Sequence, residues 1–429
     1  MLPTGNPLTV WVLQTGEPLH LDAGDRRPMR AMNLANALVA AGHKVVVWTA
    51  AFSHQERRQR ARTPTRVPIA ESLEYRLIPS PGYDRNIGLG RLADHAVLAK
   101  NLSRMLRDET PPDVCFIGYP PIEAAAVMAR WQRVRGVPSL LDVKDQWPTL
   151  LLDALPASAR PLGRVALAPY YGLARRAMRD ATAISAMAAG YLTWVQTFSG
   201  RPDSPYDLVA PLTSPNERCD EADLEEARRW WDARGVSADG KQRFCFVGSH
   251  TRSFDFAPVA EAARSLAASH PTCELVICGT GELSAQWQQM TARLPNVRFP
   301  GWVDRSHIHV LADRSVGFIA PYVRSEAFDR SIPNKVIDAF SLGLPLVTSL
   351  GGEVGELIRE FDVGLRYGDA TGRTLHDCII ELAKSELRRQ QMSANALRLF
   401  EQRFEFHTVY GKLVRRLEEL AAARGLVKR

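Results

Sequence analysis

A chain of 429 residues with 45% apolar and 24% charged residues has the make-up of a soluble globular protein too long for one ordinary core, which excludes a disordered chain and a membrane bundle and predicts two or three domains. The net charge is +7, and counting by halves puts +8 in residues 1–205 and −1 in the remainder. That asymmetry points to an anionic partner for the first half, or to a solvated arginine-rich surface and nothing more.

No window approaches the roughly 20 apolar residues of a bilayer crossing, and "MLPTGNPLTVWVLQT" lacks the basic start of a signal peptide. The six cysteines are scattered without CxxC spacing. Reduced thiols and a cytoplasmic location are therefore expected.

In chain order, "TVWVLQT" reads as a strand, "RRPMRAMNLANALVAAG" as an amphipathic helix with a glycine stop, and "HKVVVWTA" as the next strand, which is a βαβ unit. "RRQRARTPTR" (residues 57–66) reads as an exposed loop. "YRLIPS", "DVCFIGYPP", "SLLDVKDQWP" and "ATAISAM" continue as short buried strands with helices between them, the pattern of an open parallel sheet. The texture changes around Val209 to Asn216, where a linker is expected. Alternation then restarts through "RFCFVGS", "CELVICGTG", "NVRFPG", "SVGFIAPY", "PLVTS" and "GLRYG". The expected organisation is α/β, with two doubly wound domains: residues 1–210, a linker and connecting helix over 211–240, residues 241–400, and a C-terminal helix over 401–429 that crosses back to brace the first domain.

Open α/β sheets bind ligands beyond the carboxyl ends of their strands, so chemistry is sought there. "CGTGE" supplies Gly279 and Gly281 for close backbone approach to a phosphate or ribose, or for a plain tight turn. "VGSHTRS" adds Arg252, as a phosphate partner or a surface arginine. "SIPNKVIDAF" is more specific. Pro333 suits a first helical turn, Ser331 or Asn334 can cap or bind, and Lys335 places a cation at the positive end of a helix, where an intervening diphosphate would reconcile the two. Asp338, about one turn on, can accept hydrogen bonds from vicinal ribose hydroxyls, or can be a structural acid satisfied by backbone.

"DAFSLGLPLVTSLGGEVGELI", preceded by "SIPNK", resembles the nucleotide-sugar signature of retaining GT-B glycosyltransferases of family 4: an acid, then Gly and Pro, an apolar strand and a Gly-Gly turn. Asp338, Gly343, Pro345, Gly351 and Gly352 fit that order. In the family the acid is the second of two glutamates, and the first falls on Arg330 here, with Glu326 nearby; subgroups with S-x-P-x-K show the same change. "LLDVKDQWP" is similar to the family's "T-V-H-D-x-W-P", with Asp145, Trp147 and Pro148 in register and Lys144 where a histidine is usual. "GDRRPMRAMNLANALVAAGHKVVVWT" is similar to the family's first βαβ unit, whose glycine-rich loop faces the donor diphosphate; Gly24 is what remains of a usual glycine pair.

The resemblance implies two Rossmann-like domains flanking a cleft, with a nucleoside diphosphate sugar, UDP-linked, as donor. It implies a glycan or polyprenyl-linked acceptor in polysaccharide assembly at the inner membrane face, and no nucleic acid. Lys335, Arg252 and amides near Gly24 then meet the diphosphate, and Asp338 holds the ribose. Asp145 orients the acceptor or takes its proton, and Lys144 sits near a phosphate or stays solvated. For Asp145, a helix N-cap is the plain alternative. With no DxD motif and no HExxH or Cys/His cluster, no metal or other cofactor is expected. Three other readings are a sugar-nucleotide epimerase, a GT-B-fold scaffold that has lost activity, and a dinucleotide oxidoreductase, the last disfavoured by the lack of GxGxxG after the first strand.

Overall fold

The computed structural model describes residues 6–22, 28–84, 88–153, 155–213, 219–368, 370 and 372–427. The chain forms two compact units, Met1–Ser214 with His407–Arg429, and Pro215–Phe406. Of the linker expected near Val209 to Asn216, residues 214–216 lie outside the described residues.

The first unit is built on strands β1 (Thr9–Leu13), β2 (Lys44–Ala50), β3 (Phe52–Ser53), β4 (Arg58–Gln59), β5 (Thr65–Ala70), β6 (Leu73–Ile78), β7 (Val114–Tyr119), β8 (Ser139–Val143), β9 (Ala183–Ala186) and β10 (Leu208–Val209). Eight of them form one sheet in the order β10-β9-β8-β7-β1-β2-β6-β5, parallel except where β5 meets β6. Strands β7, β8 and β9 are buried at every residue, as strands covered on both faces must be. β5 instead alternates half-buried and exposed residues and carries Pro68, both marks of an edge strand.

The run "RRQRARTPTR" is therefore not a simple loop. Arg58 and Gln59 pair with Phe52 and Ser53, Thr65 and Arg66 open the edge strand, and the Arg60 side chain is buried against Asp22 at 2.6 Å. Charge alone misleads there, because an arginine with a bidentate carboxylate partner can be buried.

The last helix, Phe406–Val427, packs as part of the first unit. It buries Tyr410, Leu413, Leu417 and Leu420, and Glu418 meets His43 at 3.1 Å while Arg424 donates to the Pro112 carbonyl. Deeper in, the Arg30 guanidinium is held by both Asp142 oxygens (2.8 and 3.1 Å) and by the carbonyls of Ala210 and Pro211, with the Tyr410 ring 6.0 Å away. Ser185 donates to the same carboxylate.

The second unit has β11 (Gln242–Val247), β12 (Cys273–Cys278), β13 (Val297–Gly301), β14 (Gly317–Ala320), β15 (Leu346–Thr348) and β16 (Gly364–Arg366), all parallel, in the order β13-β12-β11-β14-β15-β16. The helix Glu221–Asp232, expected as a connector, packs on the helix Arg305–Asp313 of this unit. Burial pushes the Cys245 and Cys378 thiols up to about 12, which makes them packing groups. Among the described residues, no helix is long and apolar enough to cross a membrane.

Strand order locates the crevices. In the first unit the chain leaves β1 for β2 on one side and later returns to β7 on the other, so the connections part at the carboxyl ends of β1 and β7. In the second unit the same reversal falls between β11 and β14. Ligands of open α/β sheets bind at such points.

Candidate functional site

At the second unit's reversal, Gly248 directly follows β11. A methyl group built there would lie 2.7 Å from the Lys335 ammonium nitrogen and closer still to Cε, so Lys335 lies directly across the strand end. Lys335 comes from the short helix Asn334–Ser341, whose buried stripe of Val336, Ile337, Ala339 and Phe340 fixes its rotation. Gly343 in the left-handed conformation (φ 65°) stops the helix. Asp338, one turn beyond Lys335, is half-buried, and burial, reinforced by the Asp338 charge, raises the Tyr322 hydroxyl pKa. Strand-end glycine, lysine and acid thus share one neighbourhood.

Capping is not the role of Ser331. Pro333 occupies the N-cap position without a side-chain bond, and the Ser331 hydroxyl donates to the Phe328 carbonyl from a buried position. Proline supplies the backbone angle, and the serine, two residues too early, is tied to the preceding turn. Asn334 is the first helical residue and is exposed.

Gly279 (φ 116°) and Gly281 are explained by the protein's own chain: a side chain on the first would run into the Gly248 carbonyl, and on the second into the backbone of His250. The Gly281 amide donates to Ser284, which also meets His250 Nδ1 at 2.9 Å. Arg252 is 86% exposed and 3.7 Å from Glu282. Gly351 and Gly352 follow β15, and Gly352 (φ 46°) is pressed against the Asp329 carbonyl so closely that no side chain fits. A wider groove of about 830 Å³ runs along the helix Gly352–Phe361, lined by Arg359, Arg366 and Arg373 together with Gly352, Gly355, Glu356 and Ile358 from the last part of the signature; neither Lys335 nor Asp338 lines it.

In the first unit, a cavity of about 190 Å³ opens at the carboxyl ends of β1, β2, β7 and β8. Lys144 and Asp145, just past β8, both line it. Lys144 is not a solvated lysine: it donates to Glu17 Oε1 (2.8 Å) and Gln14 Oε1 (3.0 Å), both on buried residues. The other Glu17 oxygen accepts the Ala31 amide in the first turn of the helix Arg30–Ala40. Gly118 in β7 leaves room for the Gln14 amide.

Asp145 lies well ahead of the helix Thr149–Asp153, too early to cap it. Burial raises its carboxyl pKa above the usual value, against the opposing pull of Lys144 and Arg91. Gly24 falls in residues 23–27, outside the described residues.

Sequence reasoning did not single out the rest of this cavity. His95 and Arg91 reach it from the helix Leu89–Met105, with Arg91 Nε 3.4 Å from His95 Nε2. Behind them, Glu123 approaches His95 Nδ1 at 3.6 Å and accepts the Tyr170 hydroxyl. His54 meets the Tyr83 hydroxyl at 2.7 Å, and burial with Arg57 and Arg91 nearby lowers its pKa. A lysine, an arginine, two histidines and three acids (Glu17, Asp94 and Asp145) around a small cavity give the mixed donors and acceptors that a polyhydroxylated ring requires. Glu17 could have been found, since "QTGE" directly follows a strand; His95, in mid-helix, carries no such signal.

Among the described residues, no group of three His, Cys, Asp or Glu side chains suited to a metal ion occurs. Residues 29–211 match the family model described as "Glycosyl transferase 4-like domain", and residues 241–385 match "Glycosyl transferases group 1". No curated protein sequence matches the chain. Among solved structures, it is similar to HepE from Anabaena in complex with UDP and glucose, at 15% identity and TM-score 0.62 over 96% of this chain and 100% of that one. Sucrose-phosphate synthase from Thermosynechococcus elongatus aligns at 14% identity and TM-score 0.69, over 97% and 100%. WaaG, a glycosyltransferase involved in lipopolysaccharide biosynthesis, aligns at 15% and 0.59, over 96% and 99%. Two glycosyltransferase family models together span most of the chain, and its two parallel sheets match these folds: the chain carries glycosyltransferase domains in a GT-B fold.

Proposed function

We propose that this protein transfers a sugar from a UDP-linked donor to a hydroxyl of a glycan or polyprenyl-linked acceptor, with retention of configuration, in the assembly of a cell-surface polysaccharide. The observation that carries the reading is the Lys335 ammonium lying over Gly248 at the strand reversal of the second unit, with Asp338 one turn away. HepE, of similar fold, is described with UDP and glucose bound, and WaaG acts in lipopolysaccharide biosynthesis.

Breaking the anomeric C–O bond develops negative charge on the leaving diphosphate and positive charge on the sugar. A fixed cation and the N–H groups of a helix start oppose the first, because they are already oriented when the charge appears. In this reading Lys335 and the amides at the start of the helix Gly352–Phe361 face the diphosphate, and Asp338 accepts from the ribose hydroxyls. Charge neutralisation then falls to these groups and not to a metal ion. On the acceptor side, Asp145 orients the incoming hydroxyl, whose proton passes to the leaving phosphate oxygen as the new C–O bond forms on the same face. Lys144, engaged by Glu17 and Gln14, sets the position of its neighbour Asp145 more than it contacts phosphate.

The test is a mass-spectrometric screen of the intact protein against nucleotide sugars, scoring retained complex and released nucleoside diphosphate. A UDP-sugar is expected to be retained and slowly hydrolysed. If no nucleotide sugar is retained and UDP does not shift the melting temperature, the assignment fails.

A further inference from the structure

The helix Arg160–Asp180 is unlike the others in the first unit. One stripe, including Gly163, Ala174, Ala177 and Met178, is buried, and the helix packs on the helix Ile122–Arg135. Its opposite face is apolar at the near end and open to solvent: Leu162 is 76% and Val165 73% exposed, with Pro161, Ala168, Pro169 and Gly172 exposed beside them. Burial within the unit does not account for such residues on a helix that has already satisfied its core face.

The charge around this face is one-signed. From residue 154 to 179 the sequence has no Asp or Glu but has Arg160, Arg164, Arg175, Arg176 and Arg179. Arg175 and Arg179 donate to the carbonyls of Phe198 and Ser199, which leaves their charge uncompensated by those bonds. The first acid after the stretch, Asp180, is taken up by Arg133 at 2.5 Å.

We infer that this face docks on an anionic phospholipid bilayer, with Leu162 and Val165 entering the acyl boundary and the arginines meeting headgroup phosphates. Apolar residues fringed by arginine on a helix lying along a surface are what an interfacial helix requires. A protein partner would need a shaped, largely apolar patch of several hundred Å², and two large side chains among small ones do not make one.

The location gives docking a purpose. Tyr170, on the edge of the same helix, donates to Glu123, which approaches His95 in the cavity wall. A bilayer on the outer face would therefore lie about one helix diameter, roughly 10 Å, from that wall, within reach of a hydroxyl on a lipid-linked acceptor. That purpose rests on the proposed acceptor; the docking itself does not.

The test is co-sedimentation of the full chain with phosphatidylcholine vesicles, with and without added phosphatidylglycerol, at low salt. Binding is expected only with the anionic lipid and is expected to fall as salt is raised. A Leu162→Asp/Val165→Asp double variant should bind at least about tenfold more weakly, while Leu89→Asp, on an equally exposed leucine of another helix, should bind as the parent does. Hydrogen exchange of the unmodified protein supplies a readout that needs no variant: amides of residues 160–172 should gain protection on anionic vesicles. Full binding by the double variant, absence of binding to anionic vesicles, or protection confined to other segments each overturns the inference. So does loss of a dimer in light scattering by the double variant without loss of vesicle binding. Hydrolysis of the donor in solution should be the same in the double variant, so failure here and failure of the transferase reading are separable.

Discussion

Replacing Gly248 by alanine tests the donor site through a single methyl group. The added carbon would stand 2.7 Å from Lys335 Nζ and 3.1 Å from Cδ, with Cε closer still, against an ordinary carbon contact of about 3.5–4.0 Å. The obstacle is the far end of a flexible side chain, so the backbone can keep its path while the ammonium retreats by about 2 Å. At an effective dielectric of about 20, an ammonium–phosphate pair is worth about 4 kcal/mol at 4 Å and about 2.8 at 6 Å, a difference of about 1.4 kcal/mol or roughly tenfold in affinity. Calorimetric titration with UDP should therefore show about tenfold weaker binding by Gly248→Ala with little change in melting temperature. If the methyl acts through the lysine, Gly248→Ala on a Lys335→Ala background should add almost nothing. Unchanged UDP affinity in the folded single variant, or fully additive losses in the double, would refute the reasoning.

Asp338→Ala should weaken UDP binding at least about tenfold, and a 2′,3′-dideoxyuridine diphosphate should erase the difference between variant and parent; equal sensitivity to both nucleotides removes the ribose contact. Asp142→Ala leaves the Arg30 guanidinium buried with two carbonyls but no counter-ion, and should cost about 3 kcal/mol in urea unfolding. A loss below about 1 kcal/mol would mean that water reaches the charge. For Asp145 the folded pKa is raised by burial, so the folded chain holds that proton more tightly than the unfolded one. Its contribution favours folding below the usual 3.8 and declines as pH rises through the raised value. Asp145→Asn should therefore melt higher than the parent at neutral pH, with the advantage shrinking in acid, while turnover drops; a pH-independent difference between the two melting curves would contradict this.

Much of the fold was legible because parallel strands buried on both faces leave continuous apolar runs, and "HKVVVWTA" and "CELVIC" could hardly be anything else. Lys335 and Asp338 were legible for a local reason: one short helix carries both, so their spacing in sequence is their spacing in space. Gly248 was not, since nothing in "VGSH" says that a lysine from far along the chain will lie across it. His95, Glu123 and Tyr170 were missed likewise, as three helices each contribute one polar residue that reads as ordinary. Arg60 and Lys144 were misjudged in the same direction, because their carboxylate partners Asp22 and Glu17 come from a different loop. Sequence periodicity reports what an element buries; it does not report which remote side chain completes a pair.

The terminal helix has a consequence for how the protein is made. Leu413, Leu417 and Leu420 are buried in a unit whose strands all end by Val209, so that its last helix is synthesised long after its sheet. During translation every residue of the second unit, continuous in sequence, is joined to the chain before the helix that the first unit still lacks. The half translated first is thus the half finished last, and a stop codon ahead of His407 would strip both polar and apolar closure from a body to which it lies nowhere near in sequence.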